Sequence, residues 1–216
     1  MKIATYKQGS AQWWADKKGR IGGTRFGQLI SGRKNALQYE LADEQLTDID
    51  SFILDMESQY ITEDMQAGTD NEPIARQLYI EQSGIDFQEV GFIYSDFSDI
   101  HGASPDGWNA EHGIVLELKY TRHGAKQIQR FVEGPETDKM PQIYNYFAAS
   151  DDVKQVRWVS YCPDRHERQL VEWIYTPETV VDVKKNKTIS DMVREGRALL
   201  PQMEAEVKGI IEKFKF

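Results

Sequence analysis

Alternating hydrophobic and polar positions predict several strands, and the clearest of them is Ile114–Tyr120. Successive strand side chains point to opposite faces, so Glu117 and Lys119 share one face while Leu116 and Leu118 share the other. Further strands are predicted at 87–94, 100–103, 154–161 and 169–175, rich in β-branched and aromatic residues. The last two are expected to be neighbours in a sheet.

Helical spacing of apolar residues predicts helices between these strands. The predicted ranges are 24–31, 48–60, 73–84, 125–133, 140–150 and 190–213. The helix at 48–60 places its apolar residues on one face, which consists of Ile49, Phe52, Ile53, Met56 and Tyr60. The pattern therefore favours an α/β fold with a mixed central β-sheet flanked by helices, in one domain spanning 1–216.

Several helix ends are predicted from capping chemistry. Thr24 is expected to be an N-cap. Gly68 is expected to break the chain before a helix that has Pro73 in its first turn, Glu72 at its start and Gly84 at its end.

Two later helices carry further expectations. In the helix at 140–150, Ile143, Tyr144 and Phe147 are expected to point inward. Gln142 and Asn145 are expected to point elsewhere. The C-terminal helix is expected to be interrupted at Pro201, because proline removes a backbone donor.

Composition is that of a globular protein, since 40% of the 216 residues are hydrophobic and 28% are charged. No run approaches the ~20 apolar residues that a membrane span needs, and residues 1–20 lack the apolar segment of a signal peptide. The single cysteine, Cys162, excludes an internal disulfide and a four-cysteine metal cluster. A reducing, cytoplasmic setting is expected, without a membrane. Cys162 is interpreted as a small core residue.

Charge is unevenly distributed over this acidic chain, whose formal net charge is −9. Residues 16–34 include six cations against one aspartate, and residues 119–130 include four cations and no acid, whereas 40–64 is strongly acidic. The six are Lys17, Lys18, Arg20, Arg25, Arg33 and Lys34, and the four are Lys119, Arg122, Lys126 and Arg130. Such a chain is able to bind DNA on one surface while the rest stays repulsive. The alternative is that both stretches are solvated loops.

The segment 104–119 carries the candidate chemistry. Ser104-Pro105-Asp106-Gly107 is typical of a turn, and a hairpin there would return Asp106 to the neighbourhood of Glu117. Two carboxylates beside the Lys119 ammonium suit a hard cation such as Mg²⁺. Each half alone is typical of an ordinary turn or a solvated strand face, but the two together favour a metal site. No P-loop, G-x-S-x-G or H-E-x-x-H pattern indicates another chemistry.

Five sequence blocks, taken together, resemble the phage lambda exonuclease type of nuclease, the YqaJ-like viral recombinases of the PD-(D/E)xK superfamily. The resemblance is carried, in order, by QGSAQWWADKKGRIGGTRFGQLIS, AGTDNEPIARQLYIEQSG, IHGASPDG, LELK and PQIYNYFA. It implies a restriction-endonuclease-like core. It also implies that Asp106, Glu117 and the carbonyl of Leu118 bind the metal, and that Lys119 is catalytic.

The same resemblance assigns the surrounding residues. Glu72 would complete the catalytic site from a helix, and Gln142 would reach in from the helix after the strand. Ser104 and Thr24 match hydroxyls that hold a 5′-phosphate. Lys17 stands where the family has an arginine, and it offers a point charge in place of a bidentate fork, so Arg20 or Arg25 is the alternative.

The resemblance implies a Mg²⁺-dependent exonuclease, with Mn²⁺ as a substitute, that digests double-stranded DNA from 5′ ends. It would release mononucleotides and leave a 3′ single strand for recombination by annealing. It further implies a homotrimeric ring threaded by DNA and a single-strand annealing protein as partner. Two other functions stay open, namely a restriction-like or structure-specific endonuclease and a non-catalytic DNA-binding module.

Overall fold

The computed structural model describes residues 1–32, 36–58 and 62–215, over which strands and helices are interleaved. The strands are β1 (Lys2–Ala4), β2 (Phe92–Tyr94), β3 (Gly102–Ala103), β4 (Gly107–Asn109), β5 (Ile114–Tyr120), β6 (Gln155–Tyr161), β7 (Leu170–Tyr175), β8 (Val180–Asp182) and β9 (Lys187–Thr188). The helices are α1 (Ala11–Lys17), α2 (Gly23–Ile30), α3 (Leu37–Leu46), α4 (Ile49–Ser58), α5 (Glu63–Ser83), α6 (Gly124–Glu133), α7 (Met140–Ala149) and α8 (Ile189–Phe214). Arg33, Lys34 and Tyr60, named above, lie outside the described residues.

The main sheet is mixed, as predicted. Its strand order is β4-β5-β6-β7, with β5 and β6 parallel and the other pairs antiparallel. The connection between β5 and β6 contains α6 and α7, because parallel neighbours need a crossover. A three-stranded sheet, β1-β2-β3, and the pair β8-β9 complete the β-structure of the described residues.

Strand β5 lies between two layers of hydrophobic residues. Leu116 and Leu118 pack with Tyr79 of α5, on one side of the sheet. Val115 belongs to the larger core on the other side, which includes Phe147 of α7. Glu117 is on the same side as Val115, so the predicted alternation is confirmed and the acidic face lies under α7.

The hairpin forms, but its turn is not where the sequence analysis placed it. Strand β4 pairs antiparallel with β5, and the chain reverses at residues 110–113. Gly113 has a φ of +66°, and a Cβ there would lie 2.4 Å from the carbonyl oxygen of Asp152, so this position needs glycine. Asp106 sits in a bend immediately before β4. The pairing of Gly107 with Leu116 then returns Asp106 to the middle of β5.

Helix α5 corrects the prediction of a break at Gly68. The helix runs through both Gly68 and Pro73, from the N-cap Thr62 to the left-handed C-cap Gly84. Relative to alanine, glycine costs a helix about 1 kcal/mol and proline about 3 kcal/mol. Packing of the buried Ala75 and Tyr79 against the sheet offsets this cost. Glu72 is therefore in the middle of a helix and not at its start.

Other boundaries also differ from expectation. The N-cap of α2 is Gly22 and not Thr24, which lies inside the helix. Helix α8 continues through Pro201. The predicted strand at 87–94 shortens to β2 and a single bridge between Gln88 and Trp108. The strands at 154–161 and 169–175 are confirmed as antiparallel neighbours.

One buried polar pair corrects the expectation for α7. Asn145 is 1% exposed, and its side chain bonds to His101 at 2.9 Å and to the carbonyl of Gly102 at 3.1 Å. It therefore points into the core and ties α7 to β3. Cys162 is also fully buried, as expected.

Candidate active site

The hairpin brings Asp106, Glu117 and Lys119 together. Oδ2 of Asp106 accepts a hydrogen bond from the backbone N–H of Leu118 at 2.5 Å. Glu117 and Lys119, two residues apart on one face of β5, form an ion pair. Glu117 is only 1% exposed, so the pair lies beneath the surface. The juxtaposition predicted from segment 104–119 is present in the structure.

Tyr146 of α7 holds the second oxygen of Glu117. Its hydroxyl donates a hydrogen bond to Oε2 of Glu117 and is 3.2 Å from the carbonyl oxygen of Ser104. Lys119 binds the other oxygen, Oε1, so both oxygens of this buried carboxylate have a donor. These two contacts fix the orientation of the Glu117 carboxylate.

Arg76 links the helix glutamate to the hairpin. Its guanidinium donates to Oε1 of Glu72 at 2.6 Å and to the backbone oxygen of Asp106 at 2.7 Å. A third contact, at 3.3 Å, joins it to Glu89. The arginine one helical turn after Glu72 thus positions Glu72 beside the bend that carries Asp106.

Negative charge is concentrated at this point. Burial raises the pKa of Asp106 well above its usual range, and Glu117 and Glu72 raise it further. Burial also raises the pKa of Glu72, although the Arg76 guanidinium partly offsets the rise. Burial alone would lower the pKa of Lys119, but the attraction of Glu117 and Asp106 outweighs it and raises the pKa.

This donor set fits a hard divalent cation. Two carboxylates that repel each other in a buried site are relieved by a positive ion, and oxygen is the ligand that Mg²⁺ prefers. Within the described residues, no group of three or more His, Cys, Asp or Glu side chains is arranged as a complete metal site. The remaining ligands would therefore come from backbone oxygen and water.

A cleft of about 880 Å³ lies near this site, but its lining residues do not include Asp106, Glu117, Lys119 or Glu72. It is lined by Lys17, Thr24, Arg25 and Ser104, the predicted or alternative contacts of a 5′-phosphate. Gln142, which the resemblance assigns to the catalytic site, lines the same cleft. Tyr146 also lines the cleft. Because Tyr146 contacts Glu117 as well, it joins the cleft to the carboxylate site.

Helices α2 and α7 meet closely at one edge of the cleft. A Cβ on Gly23 would lie 2.8 Å from Cγ of Gln142, so a larger residue would push the two helices apart. This approach places Thr24 and Gln142 on the same cleft.

Trp13 connects two of the predicted phosphate contacts. The ammonium of Lys17 is 4.0 Å from the centroid of the Trp13 ring, a cation–π distance. The indole N–H of Trp13 donates to Oγ of Ser104 at 3.0 Å. Lys17 and Ser104 thus meet through one aromatic ring. Burial, and then the nearby Arg25, lower the pKa of Lys17 to about 8.

The arginines of the cleft are already paired. The guanidinium of Arg25 contacts both oxygens of Glu44, one of them at 2.9 Å. Arg20 donates to the Asp16 backbone at 2.5 Å and forms an ion pair with its carboxylate at 3.3 Å. Lys17 has no ion pair within the described residues, so it is the cation left free for a ligand.

Sequence reasoning missed the roles of Tyr146 and Trp13. Tyr146 follows Gln142 by four residues, so helical spacing places both on one face and could have indicated it. The contact of Trp13 with Ser104 spans 91 residues, and no local pattern predicts it.

Within the described residues, none of the helices combines the length and the apolar composition that a membrane span requires.

Comparison with known proteins relates this geometry to a family. The family described as the YqaJ-like viral recombinase domain matches residues 12–150. A crystal structure of an alkaline exonuclease, LHK-Exo from Laribacter hongkongensis, has a TM-score of 0.70 at 24% identity, and one of LHK-Exo in complex with dAMP has 0.69 at 24%. Each covers 95% of this chain and 98% of that chain.

A phage-related exonuclease from Haemophilus somnus 129PT has a TM-score of 0.53 at 13% identity, over 90% of this chain and 96% of that chain. No match is found among the curated proteins. At these identities the structural likenesses show the fold, a mixed α/β core like that of the PD-(D/E)xK nucleases.

Proposed function

The chain belongs to the YqaJ-like viral recombinase family, and from this premise we propose that it is a metal-dependent exonuclease of double-stranded DNA. The observation that carries the proposal is the continuity of the carboxylate site with the cleft through Tyr146. A site for cutting a phosphodiester thus lies beside a space able to receive a DNA end.

The proposed metal ligands are Asp106, Glu117 and the carbonyl of Leu118. A bound Mg²⁺, or Mn²⁺ in its place, would neutralise charge on the phosphate and lower the pKa of a bound water. Lys119 lies beside Glu117 and would offset the charge that develops on the phosphate during hydrolysis. Glu72, held by Arg76, would complete the acidic side of the site, and Gln142 would contact the substrate from α7.

We place the 5′ end of the digested strand at Lys17, Thr24 and Ser104. A terminal phosphate carries more charge than a bridging one, so a cation with two hydroxyl donors favours it through charge-assisted hydrogen bonds. Arg25 would not contact the phosphate directly, because Glu44 binds its guanidinium. Every cut exposes a new 5′-phosphate, which supports stepwise digestion from 5′ to 3′ with release of mononucleotides. The complex of LHK-Exo with dAMP supports the same product class.

Assembly and partners belong to the same proposal. The chain would act as one nuclease domain, 1–216, in a homotrimeric ring with DNA through its centre. The 3′ single strand would pass to a single-strand annealing protein. Light scattering tests the ring, with an expected mass near three times the 24.9 kDa chain. If a monomer digests DNA processively, the proposal of a trimeric ring is wrong.

One assay tests the activity and its polarity. Linear duplexes with 5′-phosphate or 5′-hydroxyl ends, labelled at either the 5′ or the 3′ end of one strand, are incubated with Mg²⁺ or with EDTA. We expect early release of 5′-labelled mononucleotides, only with Mg²⁺ and faster from phosphorylated ends. Early loss of the 3′ label would reverse the proposed polarity.

Covalently closed circular duplex separates the exonuclease from an endonuclease. An end-dependent enzyme leaves the closed circle intact and digests it after linearisation. Cleavage of the closed circle would favour a restriction-like or structure-specific endonuclease. Binding of duplex without any Mg²⁺-dependent cleavage would favour a non-catalytic module.

A further inference from the structure

Helix α6 presents apolar side chains to solvent and polar ones to the core. Gln127 and Arg130 are 2% and 4% exposed and form buried hydrogen bonds to β6. Ile128, Phe131 and Val132 are 52%, 48% and 67% exposed. A surface helix ordinarily has the reverse arrangement. Because the polar side chains already anchor α6, its apolar residues are not needed to hold it in place.

A groove of about 210 Å³ lies between α6 and the turn that joins β6 to β7. The lining of the α6 groove, as we call it, includes Ile128, Phe131, Arg165, Glu167, Arg168 and Val171. None of these residues lines the cleft of the candidate active site. The α6 groove is therefore a separate surface, and Val132 extends its apolar rim.

The arginines of the α6 groove differ from the other described arginines. All the others form an ion pair with an acidic side chain, namely Arg20, Arg25, Arg76, Arg122, Arg130, Arg157, Arg194 and Arg197. Arg165 and Arg168 form none with any described residue. The chain has a net charge of −9, so two arginines on one groove that both lack an ion pair with a carboxylate make this groove locally positive.

The surroundings of both guanidiniums increase the local positive charge. The side chain of Arg165 packs against Gly124 at the start of α6, whose first turn has no acidic residue. A helix N-terminus is itself positive, so the arginine adds to this charge. The guanidinium of Arg168 is 4.1 Å from the centroid of the Phe131 ring, so charge and apolar surface are in direct contact. Glu167 is the one acid that lines the groove, and it pairs with neither arginine.

We propose that the α6 groove binds an acidic amphipathic segment of a partner protein. Apolar side chains of the segment would pack between Ile128 and Phe131, and its carboxylates would pair with Arg165 and Arg168. Exposed aromatic and arginine side chains in one patch are typical of the residues that dominate protein interfaces. A DNA backbone would use the two charges but leave the apolar side chains uncovered, which favours a protein segment.

A labelled peptide tests the proposal on the intact chain. The probe is a fluorescein-labelled helix-forming peptide of about 14 residues, four helical turns, with Leu and Phe on one face and Asp and Glu beside them. Fluorescence anisotropy should show saturable binding that weakens with salt. Phe131→Ser and Arg168→Glu should each raise the Kd about tenfold or more. The double variant Val183→Ser/Lys184→Glu, at an exposed turn between β8 and β9, should stay within about twofold of the wild type.

Four results would overturn the proposal. The first is the absence of saturable binding, and the second is equal binding of a peptide with Lys in place of Asp and Glu. The third is displacement of the probe by a single-stranded oligonucleotide with the same dependence on Phe131 and Arg168, which would assign the groove to nucleic acid. The fourth is a lower mass of the Phe131→Ser variant in light scattering, which would assign it to contacts between copies. All three variants should keep the thermal melting and the duplex digestion of the wild type, since none alters the candidate active site.

Discussion

The hydroxyl of Tyr146 offers the sharpest test of the candidate active site. Tyr146→Phe removes one oxygen and leaves the ring, which is 1% exposed, in its packing. Oε2 of Glu117 then loses its donor in a buried site, and the carboxylate is able to turn about its remaining contact with Lys119. Burial, and then Glu117, raise the pKa of Tyr146 well above its usual range. The hydroxyl therefore stays protonated at neutral pH and donates its hydrogen bond to Glu117.

The magnitude follows from the cost of an unpaired buried acceptor. Leaving such a group without its partner costs about 1–3 kcal/mol, and more if it is charged. For a chain of this length, 1 kcal/mol shifts the melting temperature by about 2–4 °C. We therefore expect Tyr146→Phe to lower the melting temperature by roughly 2–12 °C in EDTA, and to slow digestion because Glu117 is no longer fixed.

The neighbouring tyrosine provides the matched control. Tyr144 is also buried on α7, and its hydroxyl makes no hydrogen bond with any described residue. Tyr144→Phe removes the same atom without leaving an acceptor unpaired, so its melting temperature and rate should stay close to those of the wild type. Differential scanning calorimetry and initial rates on linear duplex measure both. Equal shifts for the two variants, or no loss from Tyr146→Phe in either measurement, would refute the role of Tyr146 in holding Glu117.

Three further predictions concern the site and the cleft. Asp106→Ala and Glu117→Ala should each abolish Mg²⁺-dependent hydrolysis, because each removes a charged oxygen ligand. Glu111→Ala alters an exposed glutamate and should leave hydrolysis intact. A near-normal rate from Asp106→Ala or Glu117→Ala would contradict the metal assignment. Lys119→Ala should slow hydrolysis by orders of magnitude but still bind duplex ends in a gel-shift assay, since a transition-state contact adds little to ground-state affinity; an equal loss of binding would make it a simple phosphate contact. Lys17→Ala should reduce the preference for 5′-phosphate over 5′-hydroxyl ends, and Lys18→Ala should not. Because the pKa of Lys17 is lowered to about 8, its ammonium is charged below that pH and neutral above it, so the wild-type preference should fall as pH rises through about 8; a preference that is flat from pH 7 to 9 contradicts this.

The sequence predicts the central strand and its site well because the signals there agree. In Ile114–Tyr120, two β-branched residues at the start, the alternation of apolar and charged residues from Leu116 onward and a flanking glycine all favour the same strand. The pairing of Asp106 with Glu117 follows once the hairpin forms, even though the turn lies at 110–113 and not at 104–107. Sequence reasoning fails where local preference and packing conflict. Gly68 and Pro73 both disfavour a helix, yet α5 continues because Tyr79 packs on the sheet.

Long-range polar contacts are the part that sequence patterns do not supply. The pairing of Arg25 with Glu44 joins α2 to α3, and the contact of Trp13 with Ser104 joins α1 to the bend before β4. Neither follows from spacing along the chain. Only the family resemblance groups Lys17 with Ser104, and Trp13, which contacts both, has no motif of its own.

The charge of the cleft bears on how the proposed enzyme would move along DNA. Its lining includes Lys17, Arg20 and Arg25, but also Glu40, Asp43, Glu44 and Asp55. With Arg20 and Arg25 neutralised by acids, Lys17 is the only cation among the described lining residues that has no ion pair. A strongly basic cleft would bind any stretch of duplex, because each neutralised phosphate adds to affinity. A cleft with one free cation gains most from the extra charge of a terminal phosphate. On the proposed function, such a cleft would discriminate ends from interior DNA and would bind either one weakly enough to release the product and advance by one nucleotide.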